Sequence, residues 1–310
     1  MIKYIIYILL ISFGLNFRAY SQYNLDLGLS FGGSAFLGDI GGKNINAKSF
    51  LGDLLIKQTN ISAGGFLRYK INKNWAFNSS LNYTRLNGDD ANSIAGPRYW
   101  RNLRFINNIF ELGNSAEFIV HQINDLGGTG RYNTSMNFYL HAGLSLFYHN
   151  PRGSKNGYIW VDLKPLRTEN YSYSSIQFAI PFGGGIVITH NRYTRFGLVL
   201  NYRQTLTDYL DDVSTIFVDP SKLSSDAAGF ANQYIGPEEE SLNFSAGQRR
   251  GNSSNKDVFF TLNLTYSKYF VKNNRYLRNQ NSRRLRSSYR SNYRARKFKK
   301  RRSKIIRSKF

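Results

Sequence analysis

Eight stretches of this chain alternate apolar with polar or small side chains at a period of two. Past the N-terminal segment, no run approaches the roughly 20 apolar residues that a spanning helix needs. A period of two sends successive side chains to opposite faces of a strand, so the chain is read as all-β. The stretches are 23–36, 59–71, 74–86, 107–120, 134–148, 174–189, 193–206 and 257–270. In the first, Leu25, Leu27, Leu29 and Phe31 alternate with Asp26, Gly28, Ser30 and Gly32. In the sixth, Ile176, Phe178, Ile180 and Phe182 share a face opposite Gln177, Ala179 and Gly183. In the last, Val258, Phe260, Leu262, Leu264 and Tyr266 oppose Thr261, Asn263, Thr265 and Ser267.

A soluble sandwich shows such alternation too, and four further features separate the cases. Each stretch can supply the roughly 9–11 residues of a tilted transmembrane strand. Short connections, Asn72-Lys73 and His190-Asn191-Arg192, with a moderate link near 121–133, alternate with long polar loops near 37–58, 87–106, 149–173 and 207–256. The first residues have a lone Lys3, an apolar run from Tyr4 to about Leu15 and the triplet Ala19-Tyr20-Ser21, the layout of a secretory signal ending at residue 21. Tyr69, Trp75, Tyr83, Tyr193, Tyr202, Tyr266 and Phe270 fall near strand ends, where aromatic girdles sit. The fold expected over 22–270 is a transmembrane antiparallel β-barrel of eight strands, with ten as the main alternative. It would lie in an outer membrane, in contact with its lipids, and an even strand count would put both termini in the periplasm.

The formal net charge of +23 first suggests a nucleic-acid binder, but its location argues otherwise. Of 42 Lys and Arg, 17 lie in 271–310, which has no acidic residue, leaving 25 basic against 19 acidic residues in 1–270. The chain has no cysteine, so disulfides and thiolate metal sites are excluded.

An eight-stranded barrel is just wide enough for side chains to fill it. Arg68, Lys70, Glu111, Glu117, Arg195 and Arg203 fall on the polar register, where carboxylates and guanidinium groups could pair as a lumen plug. Catalysis has little support. Of the four histidines, His141 falls on an inward register beside Gly143 and Ser145, and His149 near a rim, with no nucleophile at a telling spacing. Asp208, Asp211, Asp212 and Asp219 cluster in DYLDDVSTIFVDP. They are read as a solvated or locally hydrogen-bonded turn, because the twelve-residue calcium-loop pattern is absent. No cofactor is expected.

Four segments carry a resemblance: FGGSAFLGDIGG at 31–42, RNLRFINNIFELG at 101–113, LNYRQTLTDYLDDVSTIFVDP at 200–220 and QRRGNSSNKDVFFTLNLTYSKYF at 248–270. Together they resemble the PorG-like outer-membrane β-barrel family of Bacteroidota, with Gly38, Asp39, Asp208, Tyr209, Asp211 and Asp212 as motif residues. The resemblance implies a barrel associated with type IX secretion and linked to a periplasmic ring of lipoprotein and partner subunits. It implies no catalytic residue.

The tail departs from that family pattern. Residues 271–310 are rich in Arg, Lys, Ser and Asn without a repeating apolar face, so they are expected to be disordered in isolation. Arg283, Arg284, Arg286, Arg294, Arg296, Lys297, Lys299, Lys300, Arg301 and Arg302 would bind a periplasmic partner. An acidic protein surface, an anionic membrane face and a tail without function stay open, whereas export removes nucleic acid. The expected function is a non-enzymatic anchor or assembly barrel of a type IX secretion machine. A small stand-alone transport or structural barrel is the alternative.

Overall fold

A computed structural model describes residues 25–41, 58–93, 96–126, 134–190 and 193–270. The expected signal segment, 1–21, and the basic tail, 271–310, lie outside these residues.

Eight long strands close on themselves. They are β1 (Leu25–Leu37), β2 (Asn60–Lys70), β3 (Trp75–Asp89), β4 (Arg104–Ile123), β5 (Thr134–Tyr148), β8 (Ile176–His190), β9 (Thr194–Thr205) and β10 (Val258–Phe270). Two short strands, β6 (Pro151–Gly153) and β7 (Val161–Asp162), extend the sheet beside β4. All pairings are antiparallel, and the contacts of β3 with β4 and of β1 with β10 complete the ring. Closure leaves no unpaired edge among the eight. The strand count settles on eight, because β6 and β7 lie outside the ring.

Local chemistry explains the turns and one irregularity. Asn72 Oδ1 accepts from the backbone N–H groups of Asn74 and Trp75 at 2.9 and 2.8 Å, which folds the tight β2–β3 connection. Pro181 cannot donate to the ladder. The pairing of β5 with β8 is interrupted near it, between the Ala142–Phe182 and Ser145–Ala179 pairs.

Alternation separates two environments. Leu29, Phe31, Leu81, Leu144 and Leu264 are 63–68% exposed on the outer wall. Ser34, Ser62, Thr84, Thr261 and Asn263 are buried inside. Val258 departs from its expected outward exposure, being buried where the loops cover the end of β10. At the loop end the interior becomes apolar. Leu86, Leu103, Phe105, Ile109, Phe147, Leu210, Val213 and Phe259 form a packed layer there. Among the described residues, no helix is long and apolar enough to cross a membrane.

Candidate functional site

Above this apolar layer the long connections fold over the barrel mouth and bury a polar network. Arg101 ends helix α1 (Pro97–Arg101), and its guanidinium holds three segments together. It pairs with Asp90 at 2.8 Å and donates to the Asp39 carbonyl at 2.6 Å and the Arg250 carbonyl at 2.8 Å. Asp39 in turn accepts the Asn252 N–H at 2.7 Å. Asp211 accepts from the N–H groups of Ile40 and Val213, while Asp257 accepts from that of Leu210 at 2.8 Å.

A second half of the network centres on Arg250. Its guanidinium pairs with Glu169 at 2.9 Å and donates to the Asp212 carbonyl at 2.7 Å. Glu169 also accepts from the N–H groups of Ser214 and Thr215. The Asp212 carboxylate takes the Thr168 and Tyr173 hydroxyls at 2.5 and 2.7 Å. Tyr173 lies within a ring stack that runs from His149 through Tyr173 and Tyr209 to Tyr171.

The acidic turn is therefore not solvated. Asp208, Asp211 and Asp212 are at most 3% exposed, because loops from distant parts of the chain close over them. Asp219 does form an exposed local turn, its carboxylate accepting the Ser221 N–H at 2.9 Å. Burial with few compensating charges raises the carboxyl pKa values. Burial pushes Asp208 up to about 7, aided by Asp39 and Glu169 and opposed by the Ser214 hydroxyl. Asp212 rises to about 6 by burial, its bonds and Arg250 opposing. Asp211 and Asp257 lie well above the carboxylate range through burial and neighbouring acids. Among the described residues, no set of three His, Cys, Asp or Glu is placed to hold a metal ion.

His149 does not face an open rim. It is fully buried, its Nε2 lies 3.1 Å from the Ser174 carbonyl, and burial lowers its pKa to about 4.

Inside the barrel the polar side chains pair in tiers. Nearest the cap, Arg203 Nε lies 2.9 and 2.8 Å from the two Glu111 oxygens, and Arg203 also donates to Thr261 at 2.9 Å. Further down, Arg68 pairs with Glu117 at 2.7 Å and donates to the Tyr139 hydroxyl at 3.2 Å. Asn78 gives Glu117 a further bond at 2.7 Å. Toward the short-turn end, Arg195 pairs with Asp26. Lumen cavities of about 60 and 30 Å³ remain, the smaller lined in part by Lys70. A few waters would fill them, since one needs about 10–15 Å³ of such volume.

A family profile described as Domain of unknown function (DUF6089) matches residues 2–225. The chain belongs to the DUF6089 family. No curated protein matches it. Among solved structures, this DUF6089 chain is similar to Ail, the attachment invasion locus protein of Yersinia pestis, crystallised with the heparin analogue sucrose octasulfate. Identity is 9% and the TM-score 0.35, over 81% of this chain and 100% of that one. The N-terminal β-barrel domain of Pseudomonas aeruginosa OprF matches at 10% identity and TM-score 0.33, over 80% and 100%. Neisserial surface protein A matches at 12% and 0.33, over 81% and 98%.

In the DUF6089 chain the structure brings Gly38, Asp39, Asp208, Asp211 and Asp212 into one cap, with Tyr209 in its ring stack. A Cβ at Gly38 would meet the Phe36 ring at 2.1 Å and Asp257 Oδ1 at 2.4 Å. Sequence reasoning missed Asp26, Asp90, Arg101, Glu169, Arg250 and Asp257 as partners. Arg101, Arg250 and Asp257 lie in the four segments that carry the resemblance, so those segments were the available signal. Asp90 and Glu169 lie outside them, and nothing local marks them.

Proposed function

We propose that this chain is a non-enzymatic outer-membrane barrel that anchors or helps assemble a type IX protein secretion machine. The single observation that carries the membrane part is the wall. Large apolar side chains ring the closed barrel while its polar side chains are paired inside. A soluble monomer rarely exposes a contiguous apolar patch beyond a few hundred Å². In hydrocarbon the same surface is satisfied, and a closed barrel has no unpaired backbone.

A lumen packed with ion pairs beneath a sealed mouth supports anchoring over conduction. β1 begins beside the end of β10, Leu25 opposite Phe270, so both termini of the barrel leave from its short-turn end. On this reading that end is periplasmic, and the basic tail of 271–310 reaches acidic faces of ring subunits by a salt-screened attraction. A rigid barrel then fixes position while the tail raises the effective concentration of a weak second contact. The secretion role rests on the resemblance of the four segments, each of which contributes residues to the cap.

The test is affinity isolation of the tagged full chain from outer membranes at low and high salt, with co-purifying proteins identified. Ring subunits lost as salt rises support the reading. Recovery of the barrel alone, where another complex of the same membrane survives, overturns the assembly role. Stable planar-bilayer conductance would favour a transport barrel instead.

A further inference from the structure

The outer wall is not uniform. Just below the loop end, a recess of about 660 Å³ opens on the face that runs from β2 to β8, a volume within the range of ligand pockets. Leu81, Tyr83, Phe110, Leu112, Leu146 and Tyr148 line it. Ala63 stands at its β2 edge, between Phe31 and Tyr83 in the register, too small to fill the space.

One outward position nearer the loops, about 7 Å along β3, is Arg85. Its neighbours Thr84 and Leu86 are buried inside the barrel, so Arg85 shares the outer face with Leu81 and Tyr83. Arg85 is half-buried as a residue, and its side chain has no ion-pair or hydrogen-bond partner among the described residues. Two other outward arginines of this rim are neutralised, Arg104 by Asp89 and Arg152 by Asp162. Asn108, opposite Arg85 in the register, accepts from the Tyr83 hydroxyl at 3.0 Å. A partly desolvated cation above an apolar recess calls for an anion joined to an apolar body.

We propose that this face binds one phosphate-bearing lipid of the surrounding leaflet, with its acyl chains in the recess and its phosphate on Arg85. The proposal rests on the membrane part of the reading above and goes beyond its secretion part. Charge complementarity selects the lipid as occupant, since an apolar partner would leave Arg85 uncompensated.

The test uses the full chain in a maltoside detergent, titrated with dioleoyl phosphatidylglycerol or with phosphate-free dioleoylglycerol and read by native mass spectrometry. A single phosphatidylglycerol adduct is expected. Arg85→Gln should weaken it about tenfold, the factor that corresponds to about 1.4 kcal/mol. Leu112→Trp, which fills the recess, should weaken it similarly, while Leu264→Trp on another face should not. Equal retention of both lipids, or no effect of Arg85→Gln, overturns the site. Displacement by equimolar inorganic phosphate would make it a free-anion site, and dimers lost in Leu112→Trp without any lipid adduct would make the recess a contact between copies. Protease protection in phosphatidylcholine vesicles separates the two readings. Insertion without an adduct removes the lipid site alone, whereas failed insertion removes the membrane reading.

Discussion

The Asp211 carboxylate accepts the backbone N–H of Ile40 at 2.9 Å, joining residues 171 positions apart. Its other oxygen takes the Val213 N–H at 3.0 Å, so one side chain shapes its own turn and clamps a distant loop. Asp211→Ala leaves two N–H groups unpaired, each at a cost of about 1–3 kcal/mol when buried. The cap should open while the barrel stays closed. Limited proteolysis of the inserted protein should then cut within 207–256 much faster than in the parent chain. Equal cleavage rates would show that this clamp does not hold the loop.

The pH response of the cap follows from the raised carboxyl pKa values. Asp208 titrates near 7 and Asp212 near 6 in the folded cap, against 3.8 for a free side chain. Between these limits the folded state holds more protons than the unfolded one, so stability falls as pH rises. Their contribution is fully present below about pH 4 and is lost as pH passes 6 to 7. His149 acts oppositely, its stabilising effect being lost as pH falls from 6.5 toward about 4. Asp208→Asn should therefore flatten the change in cap protease resistance between pH 5 and 8. An unchanged slope in that variant would exclude Asp208 as its source.

Gly38 has no room for a side chain, because a methyl group would press on the Phe36 ring and the Asp257 carboxylate. Overpacking of this kind costs about 1–3 kcal/mol. Gly38→Ala is expected to lower the cap's thermal midpoint while leaving heat-resistant barrel folding intact on a gel. A cap as stable as the parent's would mean that Phe36 swings away freely.

The eight strands were legible because their two faces meet different media, which writes a period of two into residues such as Ile176 to Phe182. Their ends were less so. β4 was expected from 107 but begins at Arg104, since Arg104 to Ile106 pair with Asp89 to Asn87 beyond any patterned stretch. The lumen register placed Arg195 inside, yet nothing near it in sequence points to Asp26, its partner 169 positions away. Proximity of Asp208, Asp211 and Asp212 was visible along the chain. Their burial was not, because Arg101 and Glu169 come from two other loops and Arg250 from the far end of the same long connection, 38 positions beyond Asp212.

Leu264 and Leu242 are similarly exposed, at 68% and 74%, but one lies mid-wall on β10 and the other in the cap. If lipid surrounds the wall, Leu264→Arg should cost about 2–4 kcal/mol. Leu242→Arg, at a solvated surface, should stay within about 0.5 kcal/mol. Reversible urea unfolding from lipid vesicles measures both. Equal small effects would place the wall in water.

Arg203 and Glu111 form the lumen ion pair nearest the cap, with side chains at most 3% exposed. Removing one partner strands a buried charge, which typically costs about 3–5 kcal/mol, whereas replacing both with apolar residues of similar volume is often neutral or stabilising. Glu111→Leu alone should thus lower the unfolding midpoint in urea sharply, and Arg203→Met added to it should recover most of the loss. The same variants read out the packed lumen. Planar-bilayer conductance should stay silent in the double variant, because the apolar layer of Leu86, Phe105, Phe147 and Phe259 still seals the loop end. A stable channel in the double variant would show that the ion pair, and not this layer, is the barrier.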